Sequence, residues 1–222
     1  MSLKNNLAKI TNQLEGKRCR LIAVSKTKPI EDIMQAYEAG IRDFGENKVQ
    51  ELIQKQPELP ADIRWHMIGH LQRNKVKFIA PVVHLIHGVD SAKLLKAINK
   101  EGEKIGRKIS CLLQIYIAQE ESKFGFSKEE LYDMLHDPAM AAMDYVAIKG
   151  LMGMATFTEN PDQIRREFKA LKDLFEALKQ EQVTLPDFAM EELSMGMSGD
   201  YKIAVEEGST MVRIGSAIFG ER

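Results

Sequence analysis

A TIM-type (β/α)8 barrel, preceded by one extra helix and forming a single domain, is the fold class this sequence predicts. Three observations lead there. Short apolar runs alternate with amphipathic helical patterns from end to end, as expected for parallel strands joined by helical crossovers. About eight such units fit into 222 residues, the size of a compact barrel. No linker, low-complexity segment or internal repeat divides the chain, so one domain is expected over residues 1–222. A doubly wound open sheet is the competing architecture.

Each element has its own warrant. Leu3, Leu7, Ile10 and Leu14 recur at the spacing of one helix face, with Ser2 as N-cap and Gly16 at the end. Residues 21–25 read as a buried strand. Pro29 opens a helix striped by Ile30, Ile33, Met34 and Tyr37, and Gly40 stops it. A brief strand at 41–44 precedes a helix at 47–56 ended by Pro57. A strand at 64–68 precedes a helix near 71–79 ended by Pro81. After a strand at 82–89, Ser91 caps a helix through Leu94, Leu95 and Ile98.

Residues 109–117 form the strongest strand pattern. Ser127 and Glu130 make a capping box before Leu131, Met134 and Leu135. A glycine-containing strand at 146–154 leads to the clearest helix, 161–180, with Ile164, Phe168, Leu171, Phe175 and Leu178 on one face. A short strand at 191–195, a helix at 198–207 ended by Gly208, and a last strand at 211–214 complete the pattern.

Composition excludes some classes of function. The chain carries 31 basic and 32 acidic residues, and no basic block stands out. That argues against a surface built to grip nucleic acid or anionic lipid. The two cysteines, Cys19 and Cys111, form no CxxC or disulfide framework, and Cys111 sits in an apolar run as a buried thiol would. A reduced, cytoplasmic chain is expected. The N-terminus lacks a signal-peptide core, and no apolar stretch approaches the roughly 18 residues needed to span a bilayer. No membrane role is expected.

Candidate chemistry gathers at the C-terminal ends of the strands, where barrel active sites form. Lys26 ends the run Leu21-Ile22-Ala23-Val24-Ser25. Burial there would favour a neutral amine able to attack carbonyls, although the segment alone also suits a lysine reaching to solvent. Ser198 stands as N-cap of the helix after the seventh strand, where its hydroxyl and the free amides behind it suit an anion. After the eighth strand, Gly215 permits close backbone approach and Ser216 offers an amide and a hydroxyl. A helix cap and a plain turn explain the same residues without any ligand. Together the segments suit a phosphorylated carbonyl compound.

The histidines do not suit a metal. His66 and His70 are four apart, but their segment reads as a strand entering a turn, with no acidic ligand at metal-motif spacing. The 12 methionines read chiefly as core filler, with Met195 and Met197 candidates for a pocket wall.

Six segments, read together, resemble one family. They are Ala23-Val24-Ser25-Lys26-Thr27-Lys28-Pro29, Phe44-Gly45-Glu46-Asn47, the run from Trp65 to Lys75, Leu151-Met152-Gly153-Met154, Leu193-Ser194-Met195-Gly196-Met197-Ser198, and the run from Val212 to Gly220. In order, and over nearly the whole chain, they resemble the pyridoxal phosphate homeostasis proteins. The resemblance implies a barrel like the N-terminal domain of alanine racemase. It implies pyridoxal 5′-phosphate (PLP) as cofactor, held as an internal aldimine on Lys26. Ser198, Gly215 and Ser216 would hold the phosphate, Arg213 would face the pyridine nitrogen, and Asn47 would lie near the ring. Lys123 matches a further lysine at the pocket mouth. Two departures are Lys48, where the family usually has an aromatic residue, and Met67 in place of a phenylalanine; the second is a tolerable packing swap.

The resemblance favours a carrier over a catalyst. A guanidinium only donates hydrogen bonds, so Arg213 would leave the ring nitrogen unprotonated and weaken the electron sink. Racemisation also needs a second base, which the resembling racemase takes from an additional β-domain that this chain is not expected to have. Tyr37, Tyr116, Tyr132, Tyr145 and Tyr201 fall mostly inside expected helices or strands. The implied function is buffering PLP and delivering it to PLP-dependent apoenzymes, by a monomer with no substantial catalysis. A PLP-dependent racemase or eliminase of low activity is the alternative, and a Schiff-base aldolase a more distant one.

Overall fold

Alternation of side chains along each strand sorts this chain into an inside and a shell. The computed structural model of the protein describes residues 2–118 and 124–220. Its strands are β1 (Arg20–Val24), β2 (Asp43–Glu46), β3 (Arg64–Met67), β4 (Val83–Val89), β5 (Ile109–Gln114), β6 (Val146–Met152), β7 (Phe188–Ser194) and β8 (Met211–Ile214). They pair in parallel and in sequence order, and β1 pairs with β8 to close a barrel. The open-sheet alternative is thereby excluded.

Outward residues such as Ala23, Phe44 and Trp65 join one apolar core with the surrounding helices. Ile22, Leu85, Leu112, Met152 and Met211 form a separate cluster. Drawn from five strands around the ring, these side chains can meet only in the barrel's interior.

The helices are α1 (Leu3–Leu14), α2 (Ile30–Glu38), α3 (Val49–Lys55), α4 (Val76–Ile79), α5 (Ala92–Lys104), α6 (Lys128–His136), α7 (Pro161–Leu178), α8 (Tyr201–Glu206) and α9 (Ser216–Phe219). The extra helix α1 is capped by Ser2 as expected and packs on α2 and α9. Ser91 caps α5, and Ser127 with Glu130 forms the expected capping box at α6. Ile164, Phe168, Leu171, Phe175 and Leu178 are the buried stripe of α7.

Several boundaries move, each for a local reason. The expected helix at 71–79 is a 3-10 turn, Arg73–Lys75, followed by the single turn α4. The strand expected over 109–117 ends at Gln114, because Ile115 turns to bridge Phe126. That releases Tyr116 from the sheet onto the rim. The helix expected from Ser198 begins at Tyr201. Residues 197–200 form a turn instead, in which the Met197 carbonyl accepts from the Asp200 amide at 3.1 Å. Ser198 is therefore not a helix cap. The short α9, too brief to show a periodicity, follows β8 directly. No helix among the described residues is long and apolar enough to cross a membrane.

Candidate functional site

Parity along β1 decides what each residue of its C-terminal end faces. Ile22 joins the interior cluster. Val24 and then Lys26, two and four residues on, line a cavity of about 490 Å3 at the C-terminal ends of the strands. Ser25, of the other parity, is fully buried and donates from Oγ to Glu46 Oε1 at 2.7 Å. Lys55 Nζ donates to the same oxygen at 2.8 Å, to the Ser25 carbonyl at 2.8 Å, and to Glu51 Oε2 at 3.2 Å. Glu51 Oε2 also accepts from the Thr27 amide at 2.6 Å. A buried acid–base cluster thus grips the backbone on both sides of Lys26.

Thr27 itself has φ of 62°, the one non-glycine residue at positive φ among the described residues. A β-branched residue resists that conformation. The cluster beneath it holds the backbone there, so the chain turns sharply after Lys26. Lys28 consequently leaves the strand direction, and its Nζ donates to the carbonyls of Phe219 at 3.2 Å and Gly220 at 3.3 Å.

Beside Lys26, at the end of the neighbouring strand β8, lie further polar groups of the cavity. Gly215 follows β8, and a Cβ there would stand 3.2 Å from the Val24 carbonyl oxygen and Cβ, so only glycine fits without displacing β1. The amides of Gly215 and Ala217 point to Ser198 Oγ at 3.3 and 3.5 Å. Ser198 therefore caps the β8–α9 turn rather than its own segment. Ser198, Gly215 and Ser216 all line the cavity.

Arg213 supplies the floor. Its guanidinium is 4% exposed and donates to the Ser194 carbonyl at 2.8 Å, Ser194 Oγ at 2.6 Å and the Gly153 carbonyl at 3.1 Å. Burial lowers its pKa to about 10, against the opposing pull of the Asp200 carboxylate, so it remains a cation at neutral pH. From Ser194 a line of buried polar groups continues away from the pocket. His87 Nδ1 lies 2.9 Å from Ser194 Oγ, His87 Nε2 is 2.9 Å from His66 Nδ1, and His66 Nε2 is 2.9 Å from Asp43 Oδ1. Arg64 closes the line with two bonds to Asp43, at 2.7 and 2.5 Å. Burial lowers the pKa of His66 against the pull of Asp43, and puts that of His87 well below the usual value, helped by the Arg213 charge. Burial pushes Asp43 up, but Arg64 and His66 outweigh it and hold the carboxyl below the ordinary range.

All six residues expected at the site, Lys26, Asn47, Ser198, Arg213, Gly215 and Ser216, line this one cavity. Lys123 lies outside the described residues. Lys48 is exposed ahead of α3, and Met195 is buried in the core while Met197 lines the cavity. Sequence reasoning missed Asp200, whose Oδ1 accepts from the Met197 amide at 2.5 Å, and the rim residues Met154 and Phe157. It also missed that Tyr116 lines a smaller chamber sharing Met154, Phe157 and Met197 with the cavity. An acid in a turn and an apolar loop carry no pattern that could have marked them.

The family model for the alanine racemase N-terminal domain matches residues 1–222. The chain is 38% identical to the pyridoxal phosphate homeostasis protein of Pasteurella multocida, over all of this chain and 98% of that protein. With the protein of the same name from Aquifex aeolicus it shares 38% over 93% of this chain and 89% of that one. PipY of Synechococcus elongatus, solved with PLP bound, superposes with a TM-score of 0.87 at 35% identity, covering 99% of this chain and all of that one. Alanine racemase from Bartonella henselae shares the fold at 17% identity and a TM-score of 0.75, over 99% of this chain and 58% of that chain. The chain belongs to the alanine racemase N-terminal-domain family, and within it to the pyridoxal phosphate homeostasis proteins.

Buried His66 and His87 make stability depend on pH. Both are neutral when folded, while an unfolded histidine binds a proton below about pH 6.5. The unfolded state therefore binds more protons as pH falls, and stability declines from about pH 6.5 downward. Each histidine kept neutral by folding contributes up to about 1.4 kcal/mol per pH unit in that range, and His84, whose pKa desolvation lowers to about 4, acts in the same sense. Glu46, whose pKa burial raises against Lys55 and Ser25, works in the opposite sense. Urea midpoints between pH 5 and 8 check this, and a flat profile would contradict the neutral pair.

Proposed function

We propose that this protein binds PLP through Lys26, holds its phosphate between the β7 and β8 loops, and buffers and delivers the cofactor without substantial catalysis. The observation that carries the reading is the meeting of strand-end Lys26 with Ser198, Gly215, Ser216 and Arg213 in one cavity. The cavity lies within the roughly 300–1,000 Å3 range of small-molecule sites. Its donor set suits the group: an amine for the aldehyde, hydroxyls and amides for the phosphate, and apolar Val24, Ile68 and Met197 for the ring.

When bound, the cofactor supplies an aldehyde that condenses with amines and a ring that can withdraw electrons. This chain's residues limit the second property. Arg213 stays charged and offers only donors, so it leaves a ring nitrogen unprotonated. Asp200 lines the same cavity but is occupied by the Met197 amide. The mouth is open, with Phe157 98%, Met154 40% and Met197 36% exposed, which suits release to an apoenzyme. Free Cys19 and Cys111 support a reducing, cytoplasmic setting. We take the carrier to act as a monomer.

Borohydride reduction followed by peptide mapping should place a pyridoxyl label on Lys26. A label on Lys28 or Lys123, with Lys26 unmodified, overturns the assignment.

Ser198→Ala combined with Ser216→Ala should weaken retention of PLP by about 1–3 kcal/mol, the usual loss for hydrogen bonds to a charged group. Backbone amides remain, so binding should fall without vanishing. Retention equal to the parent would remove these hydroxyls from the cradle.

Low racemase activity remains the second reading, and Tyr116 beside the cavity is the observation that favours testing it. Deuterium exchange at the α-carbon of alanine should run no faster with the PLP-loaded protein than with free PLP. Turnover of about 1 per second or more, lost in Lys26→Ala and in Tyr116→Phe, would replace the carrier reading with a catalytic one.

A further inference from the structure

The polar line inside the barrel admits only one direction. Arg213 has donors and no acceptor, so Ser194 Oγ accepts from it; with both rings neutral, the acceptor-only Asp43 at the other end leaves His87 Nδ1 bare, and Ser194 turns its own hydrogen to it. A His87 that accepts at Nδ1 carries its proton on Nε2, and donates to His66 Nδ1. His66 in turn carries its proton on Nε2 and donates to Asp43 Oδ1. At the far end, the Asp43 carboxylate, held by Arg64 on both oxygens, only accepts. A donor-only group at one end and an acceptor-only group at the other impose the same order on everything between. Reversing any single bond leaves two acceptors or two hydrogens facing each other.

We propose that Asp43, His66, His87 and Ser194 are positioning residues for Arg213. The line spans β2, β3, β4, β7 and β8, from the bidentate ion pair at the start of β2 and β3 to the floor of the pocket. Every dipole in it has its negative end toward Arg213, so the line adds to the Asp200 carboxylate in stabilising the buried cation. The guanidinium is held in one orientation as a permanent donor to whatever stands above it. The consequence for a bound ring rests on the reading of the pocket as a PLP site; the tautomers do not.

The test begins on the protein without added cofactor. Long-range proton–nitrogen NMR of protein labelled with 15N-histidine at pH 7, assigned with His66→Gln and His87→Gln, reports each ring's tautomer. Both rings should be neutral and protonated at Nε2. A ring protonated at Nδ1, or an imidazolium, overturns the line.

The second arm uses Ser194. In Ser194→Ala, Arg213 keeps two backbone carbonyls, while His87 Nδ1 loses its donor. The His87 signal should shift, the absorbance band of bound PLP should move, and PLP should leave up to about tenfold faster. Ser194→Thr, which keeps the hydroxyl, should restore all three. A Ser194→Ala protein with unchanged His87 signal and PLP band overturns the positioning role. If the parent retained no PLP, the pocket reading would fall, and the tautomer measurement would still decide the line.

Discussion

A guanidinium sealed inside the barrel is the constraint around which the upper half of this structure is arranged. Taking a cation out of water costs several kcal/mol unless its donors are satisfied. Arg213 spends its donors on the Ser194 and Gly153 carbonyls and the Ser194 hydroxyl, which ties the ends of β6, β7 and β8 together. The tie matters because β7 and β8 share a single registered pair, Ser194 with Met211. Side chains supply what the ladder lacks there. Ser209 Oγ contacts the carbonyls of Met195 at 2.8 Å and Met211 at 2.9 Å, and Thr210 Oγ1 accepts from the Leu193 amide at 2.8 Å. The seam with the shortest registered ladder is therefore also the one from whose ends Ser198, Gly215 and Ser216 extend, and Arg213 braces it.

A second buried charge set supports the adjoining ends of β1 and β2. Glu46 is fully buried, and its Oε2 has no hydrogen-bond partner among the described residues. Such an orphaned acceptor is costly, and the companion oxygen explains its retention. Glu46 Oε1 gathers Ser25 and Lys55, and Lys55 extends the cluster to Glu51 and so to the Thr27 amide. Uncompensated polarity and a strained threonine are both local costs. Both fall on the backbone that presents Lys26, where an unstrained strand would have continued straight.

Much of this was legible in the sequence because strands and long helices leave periodic patterns. The eight strands, the stripe of α7 and the capping box of α6 follow from spacing and end signals alone. That the six candidate site residues line one cavity has a different source: Lys26, Ser198, Gly215 and Ser216 follow strands whose ends barrel topology brings to one rim, while Asn47 and Arg213 came from the family resemblance. What stayed hidden is non-periodic. Ser198 looked like a helix cap because a serine precedes a helical pattern, yet its hydroxyl serves a turn 17 residues later. His66 and His87 looked like isolated strand histidines, since adjacency across β3 and β4 depends on a register shift that no local rule encodes. Asp200 and Tyr116 occupy turns whose course is set by tertiary contacts.

The two grips of the pocket are built on separate supports, and Lys28 joins them. Lys26 rests on the Glu46–Lys55–Glu51 cluster, whereas the cradle rests on Ser198 and α9. Lys28, two residues beyond the amine, holds the last carbonyls of α9. The Lys26 backbone is thereby tied to the end of α9 by a three-residue stretch locked at Thr27. A rigid separation selects ligands by length as well as by group, because preorganised donors lose affinity when only one end can be reached. An aldehyde without a phosphate, or a phosphate without an aldehyde, meets only half of this arrangement. On the proposed reading of the pocket, selectivity for a phosphorylated aldehyde would follow from how the barrel's first and last strands are fastened to each other.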